Sequence, residues 1–208
     1  MAAKIVAMSE RRVLNDRARV VLLTGAPGSG KSTLGSELAR SLRIPFIARD
    51  DVRGGLFFTD GAWTPNPRRV PTSDEAVETL LRMVESTAGL GVSCIVEYVV
   101  RRGRPGDWAR ITAAADCVVL LTTCRDAMSR FTHREMNDAL LNRRSVLEAL
   151  GHASIEDHMT RAVSRMELVV DDMRTDFDVP VLQVVTDQGY QPSLDQIIEF
   201  IGGDQRTR

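Results

Sequence analysis

Nine consecutive residues constrain this chain more than any others: Gly25-Ala26-Pro27-Gly28-Ser29-Gly30-Lys31-Ser32-Thr33. They fit G-x-x-x-x-G-K-[ST], a phosphate-binding loop that works where a strand hands over to a helix. Glycines let backbone N–H groups curl around phosphate oxygens. The lysine reaches the β- and γ-phosphates, and the next hydroxyl ligates Mg²⁺. The flanks agree with this: Val20-Val21-Leu22-Leu23 is an apolar strand-like run, and Leu34 to Leu42 has helical periodicity. Strand, loop and helix N-terminus in that order make an anion site. The chain has only two lysines, Lys4 and Lys31, against 25 arginines, so a lysine inside the motif is not a by-product of composition. The expected cofactors are ATP and Mg²⁺, held by Gly25, Gly28, Ser29, Gly30, Lys31, Ser32 and Thr33, with Ser32 as the metal ligand.

Opposing charges nearly cancel, 27 basic against 28 acidic residues, so no global field draws the chain to nucleic acid or an anionic membrane. Its 208 residues suffice for a sizeable core. The expected organisation is a charged lead-in over 1–19 and one domain over 20–203. Cys94, Cys117 and Cys124 have no metal-ligand spacing and lie in or beside apolar runs. Buried free thiols in a reducing, cytoplasmic setting are expected. The apolar run between Met1 and Met8 is short for a signal peptide, Glu10-Arg11-Arg12 follows at once, and no stretch has membrane-spanning length.

Beyond the loop, apolar runs alternate with helical patterns. Strands are expected near 20–24, 44–48, 93–98, 117–123 and 180–185. Helices are expected near 31–42, 74–88, 106–115, 125–136, 138–150, 155–174 and 193–201. The runs Val92-Ser93-Cys94-Ile95-Val96 and Cys117-Val118-Val119-Leu120-Leu121 are apolar on both faces, as in a parallel sheet. The alternation predicts a three-layer α/β fold with a five-stranded parallel sheet. Residues 54–73, with three prolines and several aromatics, predict a long loop.

Missing signatures narrow the class. No Asn-Lys-x-Asp stands where a GTPase would read guanine, and no Leu-Ser-Gly-Gly-Gln marks an ABC-type ATPase. The length is short for an AAA+ motor with its lid domain. What remains is the anatomy of a phosphoryl transferase with a separate acceptor. Asp50 and Asp51 follow the second strand, at the carboxyl end of the sheet where ligands bind. Asp50 either accepts the acceptor hydroxyl's proton or caps the next helix. Arg53 either grips the acceptor or lies on a solvated face. Glu97 ends a buried strand, where it holds Mg²⁺ through water, binds acceptor hydroxyls, or pairs with Arg101 or Arg102. Arg130 and Arg134, four apart, share one helix face and suit a closing lid at about 130–145, or a solvated face. Trp63, with Phe57 and Phe58, either walls the acceptor or anchors its loop. His133, His152 and His158 have no ligand or triad spacing and are expected to be structural or superficial.

Four elements together resemble a known family: Gly25 to Thr33, Asp50-x-x-Arg53-Gly54, Ile95-Val96-Glu97, and Arg130 with Arg134. They look like the P-loop small-molecule kinases that include chloramphenicol phosphotransferase, zeta toxins, gluconate kinase and polynucleotide 5′-kinase domains. The resemblance covers residues 20–190 and implies a nucleoside-kinase-like P-loop NTPase fold with a small helical lid. It implies that Asp50 is the general base with Asp51 beside it, that Arg53 and Glu97 contact the acceptor, and that Arg130 and Arg134 act near the phosphates. Thr186-Asp187 falls where the family often covers adenine. Tyr98-Val99-Val100 departs from the Gly-Thr usual in zeta toxins, and loop 54–73 has no counterpart, so both departures fall on the acceptor side. The function expected is ATP- and Mg²⁺-dependent phosphorylation of a hydroxyl on a sugar, nucleoside or antibiotic. The alternatives are a polynucleotide 5′-hydroxyl kinase, with Arg68-Arg69, Arg101-Arg102 and Arg104 as a local basic patch, and a nucleotide-binding regulator without an acceptor.

Overall fold

Strands apolar on both faces need cover on both sides, and the chain supplies it with helices between successive strands. The structure, a computed structural model, describes residues 17–59, 70–138 and 144–203. Its elements run β1 (Arg19–Gly25), α1 (Lys31–Leu42), β2 (Phe46–Ala48), α2 (Arg49–Thr59), α3 (Ser73–Gly89) and β3 (Cys94–Glu97). Then follow α4 (Pro105–Ala114), β4 (Asp116–Thr123), α5 (Ala127–Met136), α6 (Arg144–Ala149), α7 (Ile155–Asp171), β5 (Val181–Val185) and α8 (Leu194–Gly202). The five strands form one parallel sheet in the order β2-β3-β1-β4-β5.

Residue alternation along the central strand divides the core. Val20 and Leu22 pack with α3 and α4 through Leu80, Leu81, Val84, Trp108 and Ile111. Val21 and Leu23 face α1 and α8 through Leu34, Leu38, Ile197 and Ile201. Leu22 pairs with Val96 on one side and Val119 on the other, so β1 is flanked throughout and its carboxyl end opens into the middle of the sheet edge. This is the P-loop NTPase architecture expected. Cys94 and Cys117 are buried free thiols, and burial pushes them up to about 11 and about 12. Among the described residues, no helix is long and apolar enough to cross a membrane.

Two expectations change. Residues 54–59 are not loop but the second half of α2. Gly54 and Gly55 read as breakers, yet both face open space. The helix is held by Phe57, which is buried against Val146 of α6 with Val70 and Leu150. The helix expected over 138–150 is confined, among the described residues, to α6. Trp63 and the pair Arg68-Arg69 lie outside the described residues, as do most of the 1–19 lead-in and residues 139–143 of the expected lid.

Candidate active site

The phosphate loop begins where β1 ends. Gly28 has φ +80°, and a Cβ there would stand 2.0 Å from the Ala127 carbonyl oxygen, so no other residue fits between the loop and the start of α5. Gly30 has φ +81° at the N-cap of α1 and brings no capping side chain. The first amides of the helix are therefore left for an anion. Ser29 is buried, its hydroxyl 2.6 Å from that of Thr122, which in turn donates to the Thr24 carbonyl at 3.2 Å. The Thr186 hydroxyl donates to the Ser29 carbonyl at 3.0 Å. The loop is thus clamped to β4 and to the turn after β5.

Lys31 is 7 % exposed. Its Nζ donates to the carbonyls of Gly25 at 3.0 Å and Ala26 at 2.8 Å. Burial pulls its pKa down to about 8, opposed by Glu97 and Asp50. The Ser32 hydroxyl donates to Glu97 Oε1 at 3.2 Å. Glu97 Oε2 is buried without a hydrogen-bond partner. Burial raises the Glu97 pKa, and Lys31 and Ser32 partly offset this. A hydroxyl beside a carboxylate with one free buried oxygen suits Mg²⁺ and its waters. Among the described residues there is no group of three or more His, Cys, Asp or Glu that could hold a metal ion.

Lys31, Ser32 and Thr33 share a cleft of about 440 Å³ with Asp50, Glu97, Arg130 and Arg134. Asp50 lies in the first turn of α2 and not at its cap; its Oδ1 takes a 2.5 Å ion pair from Arg49 Nη1. Arg130 is anchored by donating to the carbonyls of Thr186 at 3.2 Å and Asp187 at 3.0 Å. Asp187 also accepts from the Arg125 amide at 2.7 Å, tying the β5 turn to the approach of α5. Arg134 stacks 5.8 Å from the centre of the Phe131 ring. The adjoining face of α5 docks on α7 through Phe131, Ala162 and Met166 and through Glu135, whose Oε2 lies 3.4 Å from His158 Nε2. His152 and His158 are buried edge to face, 5.0 Å apart, in the structural role expected.

Two expected acceptor contacts fall elsewhere. Arg53 donates from Nε to the Pro71 carbonyl at 3.1 Å, tying α2 to the approach of α3, and does not line the cleft. Asp51 lines a separate depression with Phe46, Thr79 and Met83. The cleft lining also includes Arg49, Ser73, Val77 and Val169, not singled out from sequence, together with Tyr98 and Val99, noted there as an acceptor-side departure, and Arg101, noted there as a Glu97 partner or part of a basic patch. Arg49 adjoins Asp50 and could have been suspected from that alone. Arg101 is placed by an antiparallel bridge to Met173, which no local pattern announces. Glu97 is partnered by Ser32, not by Arg101 or Arg102. Tyr98 donates its hydroxyl to the buried Asp107, which Arg104 Nε approaches at 3.2 Å; this fixes the wall that follows β3.

A family model described as an AAA domain matches residues 21–151. No curated protein matches the sequence. Several solved structures share the fold. A candidate kinase from Chloroflexus aurantiacus is 20% identical, with 88% of this chain and 96% of that one covered and a TM-score of 0.60. An APS kinase from Mycobacterium tuberculosis, solved with AMPPNP and APS, is 15% identical over 91% of this chain and 100% of that one, at 0.54. A sugar kinase from Janibacter is 17% identical over 88% and 91%, at 0.50. At such identities the likeness is one of fold.

Proposed function

The chain belongs to the AAA domain family, its match spanning residues 21–151, and from that premise we propose that it is an ATP- and Mg²⁺-dependent kinase for a small molecule bearing a hydroxyl. One observation carries the assignment: Lys31, Ser32, Asp50, Glu97, Arg130 and Arg134 line one cleft. With Glu97 beside Ser32, Asp50 is a further carboxylate in the same cleft, which an acceptor needs and a bare nucleotide sensor does not.

In this reading the loop amides and Lys31 hold the triphosphate, with Ser32 and Glu97 at the Mg²⁺ position. Mg²⁺ held there would neutralise charge that develops on the phosphates during transfer. Asp50, aligned by Arg49, takes the proton of the acceptor hydroxyl. The hydroxyl oxygen bonds to the γ-phosphorus as the bond to the β–γ bridging oxygen breaks, so ADP leaves with that electron pair. Arg130 and Arg134 compensate charge on the transferring group. Positioning and electrostatics supply most of the rate in such chemistry, and a general base contributes roughly 10²–10⁴-fold. The 5′-hydroxyl polynucleotide alternative drew on Arg53, which is engaged with Pro71.

The experiment is acceptor-stimulated ADP release across sugars, nucleosides, antibiotics, hydroxy acids and 5′-hydroxyl oligonucleotides. Lys31→Ala should lose nucleotide-dependent activity. Asp50→Asn should bind ATP normally and transfer phosphate about 10²–10⁴-fold more slowly. Full transfer by Asp50→Asn would remove Asp50 as the base, and ADP release indifferent to every acceptor would favour a nucleotide-binding regulator.

A further inference from the structure

Five cationic side chains line the cleft, Lys31, Arg49, Arg101, Arg130 and Arg134, against the carboxylates of Asp50 and Glu97. Four of the five are engaged: Lys31 by loop carbonyls, Arg49 by Asp50, Arg130 by the β5 turn, and Arg134 by Phe131 and Glu135. Arg101 makes no side-chain hydrogen bond or ion pair among the described residues. It is half-buried, and its backbone is fixed. Arg101 bridges to Met173, the Arg102 amide donates to Asp172 at 2.7 Å, and the Arg104 amide donates to the Arg101 carbonyl at 3.1 Å. Arg101 is thus the one cation of the cleft lining that has no side-chain partner among the described residues, and it stands on a fixed stretch of backbone, which leaves its guanidinium available to a ligand.

Topology separates it from the nucleotide's arginines. β3 lies between β2 and β1, whereas β4 lies on the other side of β1. Arg101, which follows β3, and Asp50, which follows β2, therefore flank the phosphate loop on one side. Arg130 and Arg134, which follow β4, flank it on the other. Around Arg101 the wall is apolar, with Val77, Val99 and Val169, and the nearby Tyr98 hydroxyl is committed to Asp107.

We propose that Arg101 selects the acceptor by its anion: the substrate is a small hydroxy acid or sugar phosphate that presents its hydroxyl to Asp50 and a separate carboxylate or phosphate to Arg101. The hydroxyl rests on the kinase reading above; the anion site rests on geometry alone. Arginine matches both anions through paired N–H donors. A cleft of about 440 Å³ suits a small anion better than a polynucleotide.

The test has two arms. In the first, the full chain is loaded with a non-hydrolysable ATP analogue and Mg²⁺, so that the phosphate loop is filled, and inorganic phosphate or acetate is titrated to millimolar levels while thermal unfolding is followed. Either anion should raise Tm in the parent protein, Arg101→Ala should lose most of the rise while binding the analogue unchanged, and Arg101→Lys should keep part of it. No rise, or the same rise in Arg101→Ala, overturns the proposal. In the second arm, ADP release is compared for hydroxy acids, sugar phosphates, their uncharged amides or parent sugars, and a 5′-hydroxyl oligonucleotide. Acids or sugar phosphates should exceed their neutral counterparts at least tenfold in kcat/KM, with Arg101→Ala erasing the difference mainly through KM; whichever anion wins identifies the source. Equal use of neutral compounds, or an oligonucleotide outrunning every small acid, overturns the proposal. An Arg101-dependent anion site without turnover of any acceptor would leave the anion site standing and sink the kinase reading, with the acceptor hydroxyl that rests on it.

Discussion

Burial holds the Lys31 ammonium at a pKa of about 8, against Glu97 and Asp50, which favour its charged form. Because this lies below the ordinary lysine value of 10.5, the unfolded chain binds more protons between those limits, and this one group makes stability rise with pH across that window. Nucleotide binding has the opposite dependence. Phosphates favour the charged lysine, so ATP binding should take up a proton above pH 8, and affinity should fall about tenfold per pH unit there. Calorimetry in two buffers of different ionisation enthalpy reads the uptake directly; zero uptake at pH 9 would contradict the depressed pKa. Glu97 is displaced the other way, upward, by burial. Its carboxylate form, proposed to act at the Mg²⁺ position, should be lost on acidification at a pH above the usual glutamate range. Glu97→Gln should keep nucleotide affinity while raising the Mg²⁺ needed for half-maximal rate about 10–100-fold, measured by titrating the metal at saturating ATP. An unchanged requirement would remove Glu97 from the metal position.

The elements present these side chains because two helices sit tightly on their neighbours. Gly35 lets α1 approach the sheet: a Cβ there would stand 2.5 Å from the Phe46 ring and 2.8 Å from Leu23. Gly35→Ala should therefore destabilise by about 1–3 kcal/mol, visible as a lower urea midpoint, although alanine is the better helix former. On the other flank, α5 holds Arg130 and Arg134 in the cleft by burying Phe131 against Ala162 and Met166. Phe131→Ala should cost about 3–5 kcal/mol if that docking is part of the cooperative unit. Normal stability with slowed turnover would mean that α5 moves independently. Sequence made α1 plain because the motif, its apolar spacing and its length agree, and Lys31–Leu42 has the expected bounds. It hid α2 because Gly54-Gly55 reads locally as a break, whereas the helix depends on Phe57 meeting Val146, a contact 89 positions away. The site divides likewise. Lys31, Ser32, Asp50 and Glu97 follow strand ends and could be placed by order alone. Arg53 and Arg101 depended on which neighbour each meets, Pro71 in one case and Met173 in the other.

Across the whole molecule, the strand order sets the direction of chemistry. With β1 central, its loop has β4 and β5 on one side, carrying Arg130 and the Thr186-Asp187 turn, and β3 and β2 on the other, carrying Glu97 and Asp50. In the proposed reading, nucleotide and acceptor meet over Lys31, with Arg130 and Arg134 on one side and Asp50 on the other. The core holding these walls together is the sheet itself, so Leu22→Ala at its centre, where Leu22 is fully buried, should cost about 2–5 kcal/mol in denaturant unfolding without altering acceptor preference in the folded fraction. A smaller loss would mean that the two halves are not coupled through β1. The fate of the γ-phosphate tests the central claim most directly. With γ-labelled ATP, Mg²⁺ and an accepted hydroxy compound, ³¹P NMR should find the label as a phosphomonoester of that compound, formed by the parent protein, slowed in Asp50→Asn and absent in Lys31→Ala. Label recovered only as inorganic phosphate, at a rate no acceptor changes, would contradict it.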